Sequence, residues 1–213
     1  MGQKPDWRSP GVVRLAISVE GLTEERFIKM VMAPHLENLG IYPTPLPLGR
    51  KGGDVSLPRI KKDLNQMANN FDNVTTLYDF YGFRGKTRGE TKTSLEQKIM
   101  DCVASALRHK IIPYIQMYEF EGILFSSPEA MENNIYQNGV ADWAKDILAQ
   151  YGNDPEKIND SPHTAPSKRL LSRASYIKTV HGPDIAKETG LPLLRQKCAG
   201  FDEWLNKIET LQG

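Results

Sequence analysis

Cysteine is scarce: the 213-residue chain has two, Cys102 and Cys198, and they form no CxxC pair. Both sit in helix-like contexts, so reduced, partly buried thiols are expected rather than a disulfide framework. The four histidines, His35, His109, His163 and His181, lack metal-ligand spacing such as HxxxH. His163, close to APSKRL, is expected on a surface loop. No apolar run approaches the roughly 18 residues that a membrane span needs. The opening MGQKPDWRSPG lacks the apolar stretch of a secretory signal, and Asp6 breaks the myristoylation pattern that Gly2 invites. A cytoplasmic protein without membrane association is the expectation. Excess charge is missing as well, with 27 basic against 26 acidic residues and a net +1, so nucleic-acid contact would need a local patch. Neither GxxxxGK[ST] nor a GxGxxG after the first strand occurs, and with them the usual phosphate cradles are absent.

What is present is an ordinary globular composition, 39% apolar and 25% charged, in a length that suits one good-sized domain. VVRLAISVE (12–20) reads as a strand with Val13, Leu15, Ile17 and Val19 on one face. Thr23 is placed to cap a helix over about 24–37, with Pro34 predicting an early stop or a kink. IYPTPLPL (41–48) is extended and suits an edge strand, where missing N–H donors are tolerated. GRKGGD (49–54) reads as a flexible basic loop, followed by an amphipathic helix over about 55–69. NVTTLYDF (73–80) reads as a buried strand ending at Asp79. YGFRGKTRGET is a loop, a helix follows over about 93–109, and KIIPYIQMYEF supplies a fourth strand. This alternation predicts an α/β core of four mainly parallel strands flanked by helices over 1–125. The rest, 126–213, reads as a helical C-terminal portion packed on that core.

Three of these strands end on acids: Glu20, Asp79, and the pair Glu119 and Glu121. In an open parallel sheet, ligands bind beyond the carboxyl ends of the strands, so acids about 100 residues apart would gather at one edge. Crowded carboxylates repel and raise one another's pKa, a cost that a hard, oxygen-seeking cation such as Mg2+ or Mn2+ relieves. Each acid also has an ordinary reading. Glu24 and Glu25 suit a helix N-terminus, Asp79 suits a turn before Tyr81-Gly82, and Glu119 and Glu121 share a face only if the strand continues. Arg84, Lys86 and Arg88 lie among glycines in the loop after Asp79, fit either to track a nucleic-acid backbone or to form a solvated turn. Tyr78, Phe80 and Tyr81 suit base stacking or core packing.

VEGLTEE, TLYDFYG, PYIQMYEFEGILF, APSKRL, PEKIND and CAGFDEWL resemble the signature blocks of the DUF4276 family, a Toprim-like group related to the Toprim domains of OLD-type nucleases. The resemblance implies a Rossmann-type Toprim core and a Mg2+-dependent nuclease or related phosphodiester-acting enzyme. It also implies a nucleic-acid substrate, DNA ahead of RNA, and a separately encoded ABC-like ATPase partner in phage or plasmid defence. Glu20 matches the Toprim glutamate, Glu24 a second acid near it, and Asp79 the first aspartate of a DxD pair. Tyr81 stands where the second aspartate belongs, which removes one metal ligand unless Glu119 or Glu121 replaces it. Ser167, Lys168 and Arg169 resemble a late basic element facing the scissile phosphate. The rival implication is a non-catalytic subunit that binds nucleic acid or the ATPase through a degenerate site.

Overall fold

In the computed structural model, which describes residues 11–49, 52–159 and 161–212, a parallel sheet is sandwiched between two apolar clusters. Strand β1 (Val13–Val19) lies between β2 (Ile41–Pro47) and β3 (Asn73–Asp79), and β3 pairs in turn with β4 (Ile111–Ile112) and β5 (Ile115–Gln116). Every pairing is parallel. This is the α/β core with parallel strands and flanking helices that the sequence predicts. The expected fourth strand is broken in two at Pro113-Tyr114. Pro113 has no N–H to give, and the Tyr114 N–H leaves the ladder for Thr76 Oγ1 at 2.8 Å.

The edge position expected for β2 follows from its prolines. Pro43, Pro45 and Pro47 lie opposite Leu15, Ile17 and Val19. N–H groups two residues apart point to the same side, so all three missing donors fall on the open edge. The alternate set faces β1, and just past the strand the Leu48 N–H donates to Val19 O at 2.9 Å.

Period-two alternation sends side chains of β1 to both faces. Leu15, Ile17 and Val19 enter one cluster together with Phe27, Ile28, Phe120 and the C-terminal helices as far as Ile208. Ala16, with Val74 and Tyr78 of β3, faces α3 (Leu57–Asn70) and α4 (Lys92–Cys102). The stretch predicted as one helix to about 109 ends at Cys102. Val103 is extended there, and a 3-10 turn (Ser105–Lys110) follows. Arg108 secures the break by donating to Val103 O and Asp101 O.

Pro34 does not stop its helix. After α1 (Leu22–Phe27) the chain widens into a π turn (Ile28–Met32) and continues as α2 (Ala33–Asn38). The Ala33 N–H reaches back five residues to Ile28 O. The wider turn accommodates a proline that an unbroken α-helix would exclude. The helix is capped not by Thr23, which is buried in the first turn, but by Gly21, whose N–H donates to Glu24 Oε2 at 2.9 Å.

Beyond the sheet come α5 (Glu121–Leu124), α6 (Pro128–Ile135), α7 (Val140–Gln150), α8 (Pro166–Arg173), α9 (Lys178–Thr189), α10 (Leu191–Lys197) and α11 (Ala199–Glu209). Trp204 of α11 joins them to the sheet: its Nε1–H donates to Thr75 Oγ1 at 2.7 Å, and its ring stacks on Tyr114 with centroids 4.4 Å apart.

Candidate active site

The sheet order explains why distant acids meet. β1 and β3 are neighbours in register, with Val19 beside Leu77, so Glu20 and Asp79 leave the sheet at the same edge. Asp79 pairs across to Gln116, and beyond it the chain turns instead of continuing as a strand. Glu119 and Glu121 therefore stand on a turn and in the first turn of α5, not on one face of a strand. The turn is tied to the sheet because the Phe120 N–H donates to Asp79 Oδ1 at 2.8 Å. Glu24 arrives from α1, where the cap to Gly21 fixes one of its oxygens.

The C-terminal helices complete the surroundings. The Ser167 N–H at the start of α8 donates to Glu119 Oε2 at 2.8 Å. Glu121, 2% exposed, meets Lys178 Nζ at 3.1 Å and the Tyr176 hydroxyl at 3.4 Å. Nothing in the sequence distinguished Lys178 from other surface lysines. It reaches the site because α9 packs on α1 and α5.

Glycines let the walls close in. A Cβ on Gly82 would lie 2.3 Å from Glu20 Oε2, and one on Gly52 would lie 2.5 Å from Glu20 O. The Gly53 N–H donates to that same carbonyl at 2.7 Å. Gly52 and Gly53 of GRKGGD thus pack on the site, while Arg50 and Lys51, which made the loop basic, lie outside the described residues.

Four of the acids titrate high. Burial, then repulsion from Glu20 and Glu121, pushes the Glu24 carboxyl up to about 7. Burial likewise lifts Asp79 well above the usual carboxylate range, with Glu20, Glu24, Glu121 and Glu119 adding to the shift. Glu20 is raised by burial against the opposing pull of the Asp79 main chain and Lys178. Glu121 is raised by burial despite Lys178 beside it. For Lys178 itself burial works to lower the pKa, but Glu121, Glu119 and Asp79 prevail and raise it.

Two buried polar atoms have no hydrogen-bond partner among the described residues: Glu20 Oε2 and Gln116 Nε2. An unpartnered carboxylate oxygen among repelling acids, with oxygen donors all around, suits a hard cation in donor chemistry. Among the described residues, no three His, Cys, Asp or Glu side chains already stand as a ligand set. Glu20, Asp79, Glu24, Glu119 and Glu121 are the residues that would hold such an ion, and the protein hydrogen bonds on the last four fix the directions in which their oxygens point.

The basic residues are dispersed. Arg84 pairs with Asp54 at 3.0 Å, and Arg88 is exposed. Lys86 turns inward onto Tyr81 O and Phe83 O, and burial lowers its pKa against the pull of Glu20. Lys168 is exposed on α8, one residue beyond Ser167. Arg169 donates to Thr164 O and to the Tyr151 hydroxyl, each at 2.7 Å. Tyr81, in the place of the missing aspartate, donates its hydroxyl to Asn159 Oδ1 at 2.7 Å. Tyr78 is a core residue bonded to Ser18 Oγ at 2.6 Å.

Comparison with known proteins supports the assignment to a family. The model described as "Domain of unknown function (DUF4276)" matches residues 19–209. None of the curated proteins compared with the chain matches it. Two solved structures of the C-terminal region of the Xanthomonas campestris pv. campestris OLD protein are similar. The one phased with iodine has a TM-score of 0.40 and 16% identity over 91% of this chain and 96% of that one. The one phased with platinum has the same score and identity over 92% and 95%. No helix among the described residues is long and apolar enough to cross a membrane.

Proposed function

The chain belongs to the DUF4276 family, and we propose that it is a Mg2+- or Mn2+-dependent enzyme acting on phosphodiester bonds, a nuclease, with its centre at Glu20 and Asp79. The observation that carries this reading is the buried, unpartnered Glu20 Oε2 amid acids that raise one another's pKa. A divalent ion there would supply Lewis-acid polarisation of a phosphoryl oxygen. The chain's own groups do the rest. Asp79 and Glu119 are held by main-chain N–H groups, Lys178 keeps Glu121 in place, and Glu24 exchanges a proton near neutral pH. Lys168 is the exposed cation nearest in sequence to the Glu119 contact and is assigned to the phosphate. Arg84 and Arg88 follow the strand, DNA ahead of RNA. The family resemblance adds a separately encoded ABC-like ATPase partner and a role in phage or plasmid defence.

One observation favours a second reading, a non-catalytic nucleic-acid- or ATPase-binding subunit. Tyr81 replaces the second aspartate, and no three acids form a ready ligand set among the described residues. Calorimetric titration with Mg2+ and Mn2+ and a cleavage assay, on wild type, Glu20→Gln and Asp79→Asn, separate the two. Metal binding and cleavage that both vanish in the variants support the enzyme. Absence of both in the wild type, with salt-sensitive nucleic-acid binding that survives Glu20→Gln, supports the subunit.

A further inference from the structure

The rim of the acidic site is aromatic. Beyond the paired ends of β3 and β5, the Phe80 N–H donates to Gln116 O and the Tyr81 N–H to Tyr118 O, each at 2.9 Å. These bonds extend the ladder into two turns and hold three rings together. The centroids of Tyr81 and Tyr118 are 5.6 Å apart, those of Phe80 and Tyr81 6.2 Å, and those of Phe80 and Tyr118 6.3 Å. Two of the rings sit next in sequence to the site's acids, since Phe80 follows Asp79 and Tyr118 precedes Glu119, and Tyr81 comes directly after Phe80.

Core packing accounts for Phe80, which lies against the apolar cluster of α3 and α4, and for neither tyrosine. Tyr81 and Tyr118 belong to neither cluster and remain half-exposed. Tyr118 also adopts φ +59, a left-handed conformation that costs a bulky side chain free energy and that folded proteins tend to keep at functional sites. Lys86 Nζ lies over the Phe80 ring at 5.4 Å from its centroid, and the same loop carries the exposed Arg84 and Arg88. Aromatic faces, a strained tyrosine and basic side chains beside a carboxylate centre form the combination that holds a base by stacking while the backbone is met by charge.

We infer that Tyr81 and Tyr118, whose rings lie tilted at 44° to one another, form a stacking platform for an unpaired nucleobase at the mouth of the acidic site, so that the substrate is a single-stranded or locally unpaired nucleic acid. This rests on the proposed action on nucleic acid and narrows it: a base held in a duplex cannot present its face to the rings. In this reading the tyrosine at the second-aspartate position exchanges a metal ligand for a base contact.

The test is equilibrium binding of the full chain to phosphorothioate-linked strands, which resist cleavage: DNA, RNA, their duplexes, and strands in which abasic sites replace bases. Stacking adds affinity by a factor of roughly 5–150 per base. The single strand is expected to bind at least about tenfold more tightly than its abasic counterpart and than the duplex. Tyr81→Leu and Tyr118→Asn should each erase most of that preference, asparagine being chosen because it tolerates the left-handed backbone. Tyr81→Phe, which loses the Asn159 bond and keeps the ring, should retain it. Equal affinity for abasic and normal strands, or for duplex and single strand, overturns the inference, and so does loss of the preference in Tyr81→Phe. The DNA and RNA arms tell which strand supplies the base. Mg2+ titration is read separately. Metal binding at Glu20 without any base preference leaves the catalytic reading standing and the stacking platform refuted, and base preference without metal binding does the reverse.

Discussion

Replacing Glu24 by glutamine should stabilise the metal-free protein, and only at neutral to alkaline pH. Glu24 is 8% exposed, and its carboxyl is pushed from an ordinary 4.5 up to about 7. Because the folded state holds this proton more tightly than the unfolded chain, folding takes up a proton between these two values. The contribution to stability is fully present below about pH 4.5 and is lost as pH rises through 7. The displacement corresponds to about 3 kcal/mol of destabilisation at pH 8. Glutamine carries no charge at either pH and keeps an oxygen for the Gly21 N–H, while its buried amide N–H2 gives back about 1 kcal/mol. The expected net gain is about 2 kcal/mol at pH 8 and near zero or negative at pH 4.5. For a chain of this size 2 kcal/mol raises the midpoint of thermal unfolding by roughly 4–8 °C. Calorimetric or circular-dichroism melting in a chelator at both pH values measures it. A variant that melts lower than wild type at pH 8, or that gains equally at both, would refute the electrostatic account of the site.

Mg2+ should raise the unfolding midpoint of the wild type at pH 8 and leave that of Glu20→Gln unchanged, as read by melting scans with increasing metal. Gly82→Ala is expected to push the Glu20 carboxylate aside, given the 2.3 Å approach, costing about 1–3 kcal/mol in urea unfolding and abolishing the metal response. Lys178→Met leaves the buried Glu121 without its cation, for an expected loss of about 1–2 kcal/mol at pH 8 that shrinks by pH 5 as Glu121 takes a proton. Its urea midpoints at the two pH values check this. Trp204→Phe removes the bond to Thr75 and part of the stack on Tyr114, and should cost about 2 kcal/mol at every pH.

Residues whose roles are local could be read from the sequence. The prolines at 43, 45 and 47 marked an edge because a missing N–H is a property of the residue itself. Alternation in β1 and β3 gave the strands and placed Glu20 and Asp79 at their tips. What escaped depended on geometry between distant segments. The fourth strand looked continuous from its β-branched residues, but Thr76 Oγ1, 38 residues away, takes the Tyr114 N–H and breaks it. Pro34 predicted an early stop or a kink, whereas the helix continues through a π turn, because the widening before the proline is a response of the packed helix. Lys178 and the Ser167 N–H enter the site only through the docking of α9 and α8, which no periodicity encodes.

The site is costly to the fold that carries it. Five acids share one edge, Lys178 is in ion-pair contact with one of them, Glu121, and Glu20 has an oxygen with no hydrogen-bond partner among the described residues. If the carboxylates served only as helix caps and turn formers, one hydrogen bond each would suffice, and exposed positions would serve better than buried ones. Glu24 does cap Gly21 and Asp79 does hold Phe120, yet both are raised by burial and mutual repulsion that a cap does not need. Protonation relieves that repulsion at low pH, and near neutrality the proposed cation would do so. The two interpretations of Glu24 are therefore compatible: the cap fixes one oxygen and leaves the rest of the charge facing its neighbours. The proposed cation would relieve the repulsion that the fold retains at pH 7, and the pH-dependent gain of Glu24→Gln measures how strong that repulsion is.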